Sequence, residues 1–309
     1  MKKDLVSLSD YSADDISGLI DTAGDMKSNP DKYSSALQHK TLGMIFQKPS
    51  LRTRVSFEAG MTRMGGHAIF LNINDIQLGR GESIADTARV LSRYVDAIMA
   101  RVFEYDDIVG LAQNATVPVI NGLTNLNHPC QILSDMFTIY EIKKRLTGLK
   151  VAYLGDCNNN TCHSWLIAAP KMGINLTLGF PEGFDPKSSI LSYSLKESQK
   201  NKTKFEKTHN PQEAVRGADV VYTDTWMSMH VSQQERDKRI KELELFQVTN
   251  DLMAEAKEDA IFMHCLPAYR GMEVSEEVID GSQSVVVDQA ENRMWMQNAL
   301  LLKLIGNKK

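Results

Sequence analysis

Short runs of β-branched and apolar residues alternate with segments of helical periodicity along almost the whole chain. This alternation is typical of βα units whose strands lie side by side in a mostly parallel sheet. The runs fall into two series, separated by a long segment of helical pattern. The predicted strands cover residues 42–46, 68–71, 97–102, 117–120, 150–154, 175–178, 220–223, 261–264 and 285–287. The pattern therefore predicts an α/β fold with two doubly wound parallel-sheet domains joined by linking helices.

The segment between the two series sets the predicted domain boundaries. Residues 131–145 have apolar side chains at helical spacing and contain neither glycine nor proline, so we interpret them as a linking helix. A first domain then covers residues 1–130 and a second covers residues 146–290. Residues 291–309 also have a helical pattern and are expected to return and complete the first domain. The polar segment 233–244 is predicted to be a solvated helix or a mobile loop.

Composition excludes several classes of function. Hydrophobic residues make up 42% of the 309 residues, but no run approaches the ~18 consecutive apolar residues of a membrane span. A net charge of −4 gives no overall positive field that would attract nucleic acid or anionic lipid. Residues 1–17 lack the apolar run of a secretory signal, and the four cysteines lack a disulfide spacing. We therefore expect a cytoplasmic protein with neither a nucleic-acid nor a membrane partner.

A phosphate cradle is predicted where the first strand ends. In residues 46–58, FQKPSLRTRVSFE, an apolar strand is followed by Ser50, Arg52 and Thr53 at the start of a helix. Backbone amides at a helix N-terminus, two hydroxyls and a guanidinium together suit a phosphate group. The alternative is an ordinary capped helix with solvated arginines.

Further polar residues follow other predicted strands of the first series. Arg101 lies at the carboxyl end of strand 97–102 and is expected to face the same crevice, unless it is a surface arginine. His128 and Gln131 lie on the turn that opens the linking helix, where a histidine is either structural or polarises a carbonyl group. Gln77 lies in a glycine-flanked loop that indicates nothing by itself.

The second series opens with KVAYLGDCNNN, a strand followed by a turn. The turn has Gly155 but not the G-x-G-x-x-G pattern of a dinucleotide site. Asn160 either binds a small zwitterion or caps a helix. Cys157, Cys162 and His163 are metal-ligand types without the further well-spaced pair of a zinc site, so we expect no metal.

Two later strands of the second series end in reactive or charged residues. Asp224 follows one of them and precedes Ser228 and Met229, whereas Cys265 follows another. Carboxyl ends of parallel strands share one edge of a sheet, so an acid and a thiol are expected there. The alternative for Cys265 is inert packing. Arg293 lies at the start of the last helix, where most arginines are solvated.

These segments, in this order, resemble the aspartate/ornithine carbamoyltransferase family over nearly the whole chain. The matching motifs are S-x-R-T-R, DTARVLSR with the AR of AIMAR, HPxQ and HCLP. The resemblance implies that the first domain binds carbamoyl phosphate and that Gln77 reaches the site of a neighbouring subunit in a homotrimer or a multiple of trimers. The residues implied to bind carbamoyl phosphate are Ser50, Leu51, Arg52, Thr53, Gln77, Arg101, His128, Gln131, Cys265, Leu266 and Arg293.

The resemblance also implies the second substrate. The HCLP segment favours L-ornithine over aspartate, because aspartate enzymes are expected to have a Pro-Leu-Pro-Arg type segment there. The residues implied to bind ornithine are Asn160, Asp224, Ser228 and Met229. The implied catalytic residues are Arg101, His128, Cys265 and Asp224, and neither a metal nor an organic cofactor is implied. The expected products are citrulline and phosphate, in arginine biosynthesis or in the catabolic reverse direction.

Some features leave alternatives open. Leu51, His230 and Tyr269 replace a frequent threonine, glycine and histidine of the family, and His230 affects the expected shape of the amino-acid loop. Other segments resemble putrescine carbamoyltransferases, which are expected to lack the Ser-Met pair. A nicotinamide oxidoreductase would share the fold but needs the missing glycine fingerprint, and a non-catalytic amino-acid-binding regulator would not need the phosphate cradle.

Overall fold

The computed structural model describes residues 3–76, 81–227 and 233–306. The chain divides into two compact units, one of residues 1–142 with 291–309 and one of residues 143–290. None of the helices in the described ranges combines the length and the hydrophobicity that crossing a bilayer requires.

The first unit contains a four-stranded parallel sheet among the described residues. Its strands are β1 (Thr41–Phe46), β2 (His67–Asn72), β3 (Ala97–Arg101) and β4 (Val119–Leu123), in the order β2-β1-β3-β4. Its helices are α1 (Ala13–Ser28), α2 (Leu51–Arg63), α3 (Ile84–Leu91), α4 (Tyr105–Asn114) and α5 (Pro129–Lys143). Apolar residues of β1, β3 and β4 pack into its core, among them Ile45, Ile98 and Val119.

The second unit contains a five-stranded parallel sheet, counted over its described residues. Its strands are β5 (Lys150–Leu154), β6 (Asn175–Gly179), β7 (Phe205–Thr208), β8 (Val220–Thr223) and β9 (Ile261–His264), in the order β7-β6-β5-β8-β9. The helices are α6 (Asn160–Ala168), α7 (Ser188–Asn201), α8 (Pro211–Val215), α9 (Gln233–Leu243), α10 (Asn250–Met253), α11 (Glu276–Ile279) and α12 (Val286–Ile305). From Glu291 onward, α12 belongs to the first unit.

Strand order reverses once in each sheet, and the reversal locates the candidate site. In the first unit the chain moves from β1 outward to β2 and then returns to the other side of β1 with β3. The second unit does the same with β5, β6 and β8. In open parallel sheets, ligands bind at the carboxyl ends of the strands that flank such a reversal. The segments that follow β1, β3, β5 and β8 are therefore the ones expected to hold chemistry.

The predicted fold of two parallel-sheet α/β domains is confirmed, but two details differ from the prediction. The predicted strand 285–287 is wrong, because only Ser284 forms a bridge, to Phe262, and α12 begins at Val286. Val287 is 76% exposed, so its β-branched side chain does not mark a buried strand. The prediction also missed β7, whose sequence FEKT exposes Glu206 and Lys207 at an edge of the sheet. The separate linking segment 131–145 stays a prediction.

Leu154 tests the core of the second unit. Its side chain is fully buried in the cluster that includes Val221 and Phe262. We expect Leu154→Ala to lower the free energy of unfolding by about 2–5 kcal/mol, since it removes buried methyl groups and leaves a cavity. Leu195→Ala, on α7 at a 42% exposed position, is the matched control and should cost far less. Urea denaturation of both variants checks this; equal losses would contradict the assignment of Leu154 to the core.

Candidate active site

The turn after β1 leads into a capped helix. Ser50 is the N-cap of α2, and its Oγ accepts a hydrogen bond from the Thr53 backbone amide at 3.2 Å. Thr53 is fully buried, whereas the side chain of Leu51 is 73% exposed. Both the capped helix and the phosphate cradle use this arrangement, because the amides of the first helical turn point toward the N-terminus in each case.

Arg293 on α12 links the start of α2 to α5 in the first unit. Its side chain is 2% exposed, which overturns the view that it is solvated. Nη1 donates to Gln131 Oε1 at 2.5 Å, and Nη2 donates to Thr53 Oγ1 at 3.2 Å. Gln131 Nε2 in turn donates to Asp135 Oδ1 at 2.8 Å. Residues predicted separately from three segments therefore form one hydrogen-bonded group.

Arg101 lies at the last position of β3, beside an irregularity in the sheet. The register between β3 and β4 shifts after Ala100, which pairs with Asn121, whereas Arg101 pairs with Leu123. A Cβ atom on Gly122 would lie 2.6 Å from Met99 Sδ and 3.2 Å from the Ala100 carbonyl oxygen, so glycine allows the close approach of the two strands at this bulge. The Arg101 carbonyl accepts a hydrogen bond from the Gln47 backbone amide at 2.9 Å, which links the end of β3 to the turn after β1.

His128 lies in the same cationic environment. Its side chain is 5% exposed. Burial lowers the pKa of His128 well below its ordinary value, and the positive charges of Arg293, Arg101 and Arg52 lower this pKa further. The imidazole is therefore neutral near pH 7, so it serves as a hydrogen-bonding group and not as a fixed positive charge.

Lys48 is a residue that the sequence reasoning missed. Its ammonium group lies 4.2 Å from the centre of the Phe103 ring, and burial lowers the pKa of Lys48 to about 8, with a further contribution from Arg101. Together with Ser50, Leu51 and Arg54 it lines a cavity of about 520 Å3 in the first unit. The sequence feature that could have indicated Lys48 is its position in the turn between a buried strand and a capped helix.

In the second unit, neighbouring asparagines in the turn after β5 have different roles. Gly155 has a φ of +102°, and a Cβ atom there would lie 3.0 Å from Trp226 Nε1. Asn159, not Asn160, is the N-cap of α6, and its Oδ1 accepts the Cys162 amide at 2.8 Å. The capping alternative for Asn160 is therefore wrong, because the neighbouring residue performs it.

The ends of β8 and β9 bring the predicted acid and thiol together. These strands are parallel neighbours, with Thr223 paired to His264. The Cys265 thiol donates a hydrogen bond to Asp224 Oδ1 at 2.9 Å. Leu266 follows with a φ of +56°, and its backbone amide donates to His264 Nδ1 at 2.8 Å. Cys265 is partly exposed and contacts a carboxylate, so it is not a fully buried apolar residue.

Arg239 on α9 is a second residue that the sequence reasoning missed. Its Nε donates to the Trp226 carbonyl at 2.6 Å, and its guanidinium forms an ion pair with Asp156. Burial raises the pKa of Asp156, and the charge of Arg239 opposes that rise. Segment 233–244 is thus a helix that is tied to the β5–α6 turn, and a polar composition alone did not indicate this tie.

Four of the residues named from the sequence, Gln77, Ser228, Met229 and His230, lie outside the described residues. Tyr269 is 41% exposed. Within the described ranges, no group of three or more His, Cys, Asp or Glu side chains is arranged to hold a metal ion.

Comparison with known proteins adds a second line of observation. The family model "Aspartate/ornithine carbamoyltransferase, carbamoyl-P binding domain" matches residues 3–141, and the model "Aspartate/ornithine carbamoyltransferase, Asp/Orn binding domain" matches residues 147–304. The chain belongs to the aspartate/ornithine carbamoyltransferase family. The resemblance found in the sequence is confirmed, and the chain is a carbamoyltransferase.

Full-length relatives of this carbamoyltransferase are ornithine carbamoyltransferases. The anabolic ornithine carbamoyltransferase of Pyrococcus furiosus is 50% identical over 98% of this chain and 96% of that protein. The ornithine carbamoyltransferase of Anoxybacillus flavithermus is 49% identical over 98% of this chain and 96% of that protein. The solved structure of the Pyrococcus furiosus enzyme matches with a TM-score of 0.95, covering 100% of this chain and 98% of that one. An anabolic enzyme from Campylobacter jejuni matches with a TM-score of 0.92 at 40% identity, covering 98% of both chains.

The buried, neutral His128 makes stability depend on pH. Below its ordinary pKa of 6.5, the unfolded histidine takes up a proton that the folded one does not. Stability is therefore lost as the pH falls, by up to ~1.4 kcal/mol per pH unit from this group. We expect the unfolding free energy of His128→Gln to fall less steeply than that of the wild type between pH 6.5 and pH 5, in equilibrium denaturation. The two slopes should agree above pH 8, and identical slopes throughout would contradict a neutral His128.

Proposed function

We propose that this carbamoyltransferase transfers the carbamoyl group of carbamoyl phosphate to the δ-amine of L-ornithine, giving L-citrulline and phosphate. The observation that carries this proposal is the 50% identity to ornithine carbamoyltransferases over nearly the full length of both chains. The relative named anabolic supports arginine biosynthesis as the direction. In the reaction, the amine nitrogen bonds to the carbonyl carbon, the carbon–oxygen bond to phosphate breaks, and the nitrogen loses a proton.

We assign carbamoyl phosphate to the first unit. Ser50, Thr53, the backbone of Leu51 and the N-terminus of α2 would hold the phosphate, and Arg52 would stabilise its charge as it leaves. Arg101 and the neutral His128 would polarise the carbonyl oxygen. Support for this comes from the proximity of Arg52, Arg101 and Arg293 to His128, which concentrates positive charge around one buried imidazole. Gln131 and Arg293 hold each other and Thr53 in place.

We assign ornithine to the second unit. Asp224 and Asn160 would bind the α-ammonium and α-carboxylate groups, together with Ser228 and Met229. The δ-ammonium must lose a proton before it attacks, and the hydrogen-bonded pair of Cys265 and Asp224 is suited to this step. The thiol either orients the amine, or it passes its own proton to Asp224 and then accepts the proton of the ammonium group. We further assign Cys265 and Leu266 to the carbamoyl group. Arg101, His128, Cys265 and Asp224 are thus the proposed catalytic residues.

Substrate preference is the decisive test. We expect kcat/KM for ornithine to exceed that for putrescine by as much as ~10⁴-fold, because putrescine lacks the carboxylate and leaves groups built for it without a partner. Aspartate should give no measurable product. The assay is carbamoyl transfer to all three amines at one pH with saturating carbamoyl phosphate. Equal values, or a preference for putrescine, would favour a putrescine carbamoyltransferase, and binding without turnover would favour a regulator.

A pair of neighbouring asparagines provides a control for the same assay. Asn160→Ala should raise KM for ornithine and leave KM for carbamoyl phosphate unchanged, since it removes the proposed amino-acid contact and, within the protein, the hydrogen bond that Asn160 accepts from the Thr161 hydroxyl at 3.3 Å. Asn158, in the same turn, has an exposed side chain, and Asn158→Ala should leave both constants unchanged. Equal effects of the two substitutions would contradict the role of Asn160.

We also propose that the chain acts as a homotrimer or a multiple of trimers in the cytoplasm, with Gln77 completing the site of a neighbouring subunit. An exposed apolar surface on α2 supports an interface with another copy. It contains Leu51 and Val55, which lie one helical turn apart and are 73% and 51% exposed. Leu51 follows Ser50 in the proposed phosphate site, so an interface at Leu51 would bring a second chain to that site.

A mixing experiment tests this shared site. Gln77→Ala and Arg101→Ala should each be inactive, because one loses the contribution to its neighbour and the other loses charge stabilisation. After subunit exchange, some interfaces join an intact Gln77 to an intact Arg101, so activity should return in the mixture. A variant of an exposed arginine, Arg89→Ala, should be active alone. No recovery despite demonstrated exchange would show that each site lies within one chain.

A further inference from the structure

The turn between β4 and α5 is held by an unusual concentration of buried amide and hydroxyl groups. Asn121, Thr124 and Asn127 are at most 2% exposed. Asn127 Oδ1 accepts hydrogen bonds from Asn121 Nδ2 at 2.6 Å and from the Thr124 hydroxyl at 3.1 Å. Burying amides away from water costs free energy unless they are paired, so these contacts act as a unit.

The backbone of the turn joins the same network. The Thr124 amide donates to the Asn127 carbonyl at 2.9 Å, and the Asn127 amide donates to Thr124 Oγ1 at 3.3 Å. Leu126 also donates its amide to Thr124 Oγ1, at 3.3 Å. The conformation of residues 124–127 is therefore fixed by both the main chain and the side chains.

The network extends to the N-terminal segment. The Val6 carbonyl accepts from Asn121 Nδ2 at 2.9 Å and from Asn127 Nδ2 at 3.4 Å. Leu5 pairs with Ile120 as a parallel bridge at the edge of β4, and its side chain is fully buried. Residues 4–6 thus anchor the turn from the side opposite to β3.

His128 lies directly between this network and a proline. Pro129 restricts the backbone of the residue that precedes it. The His128 carbonyl accepts the first amides of α5, from Gln131 at 3.1 Å and from Ile132 at 3.4 Å. The backbone on the C-terminal side of His128 is therefore constrained. The direction of the His128 side chain then depends on the position of Asn127, on its N-terminal side.

We propose that Asn127 is a positioning residue for His128, acting through the buried network that joins the β4–α5 turn to the N-terminal segment. This rests on the proposed role of His128 in polarising the carbonyl group. The Asn127 amide does not need to touch a substrate for this. It fixes the backbone that aims the imidazole.

The test is a double-mutant cycle in the full chain, measured as citrulline formation. Asn127→Leu keeps the branched shape and the number of heavy atoms of the side chain and removes both polar atoms. If it acts through His128, it should lower kcat about tenfold or more in the wild type, within the range of proton-transfer and polarising groups, and leave KM for ornithine unchanged. In a His128→Ala background the same substitution should change kcat less than about twofold, since interacting sites are not additive.

Asn125→Leu is the matched control. Asn125 lies in the same turn but pairs with Glu104 at the surface, so its substitution should leave kcat within about twofold of the wild type in either background. If Asn127→Leu does not fold, Thr124→Val replaces it in the cycle, because this change removes the hydroxyl that donates to Asn127 and keeps the shape.

Each outcome separates the inference from its premise. An equal loss of kcat in both backgrounds shows a general structural role and overturns the inference. Unchanged kcat in Asn127→Leu also overturns it. If His128→Ala alone retains full activity, the role of His128 is wrong, and the inference falls with it for that reason and not because of Asn127.

Discussion

The buried guanidinium of Arg293 is the interaction on which the first unit of the site depends. A cation that is 2% exposed is tolerated in a protein only where its donors are satisfied. Arg293 meets this condition by donating to Gln131 on α5 and to Thr53 on α2. The consequence is that α12, although far away in the chain, determines the geometry at the start of α2, where the phosphate is proposed to bind.

The same burial explains why a histidine suits this place. Positive charge from Arg52, Arg101 and Arg293 disfavours a further cation, and burial disfavours any charge on the imidazole. A lysine in place of His128 would have to remain largely neutral, because its charge would otherwise repel the neighbouring arginines. A neutral imidazole keeps its ability to hydrogen-bond without adding repulsion. In the proposed reaction, the arginines would supply the field that stabilises a developing oxyanion. The lowered pKa of Lys48, to about 8, is a response to the same environment.

How far the sequence predicts this structure depends on the kind of signal each residue gives. Buried parallel strands consist of apolar and β-branched residues, so the sequence predicts β1, β3, β5, β8 and β9. It does not predict the exposed edge strand β7. Ser50, Arg101, Asp224 and Cys265 could be placed because each follows such a strand. Lys48 and Arg239 were missed, because their roles come from burial against Phe103 and pairing with Asp156, which no local pattern contains. Asn159 and Asn160 also could not be distinguished from the sequence. They are adjacent and identical, but Asn159 caps α6 and Asn160 is the candidate binding residue.

Each unit gathers its charged groups at a reversal of strand order, but the charges are of opposite sign in the two units. In the first unit the strand-order reversal gathers arginines and a helix N-terminus, which suits a doubly charged phosphate. In the second unit the equivalent reversal places Asp224 and Cys265 at the ends of neighbouring strands, which suits an ammonium group that has to lose a proton. Hydrogen bonding between the thiol and Asp224 Oδ1 leaves that carboxylate its second oxygen for the substrate. A parallel sheet that reverses its strand order therefore fixes where the groups converge, and the residues after each strand decide which charge they recognise.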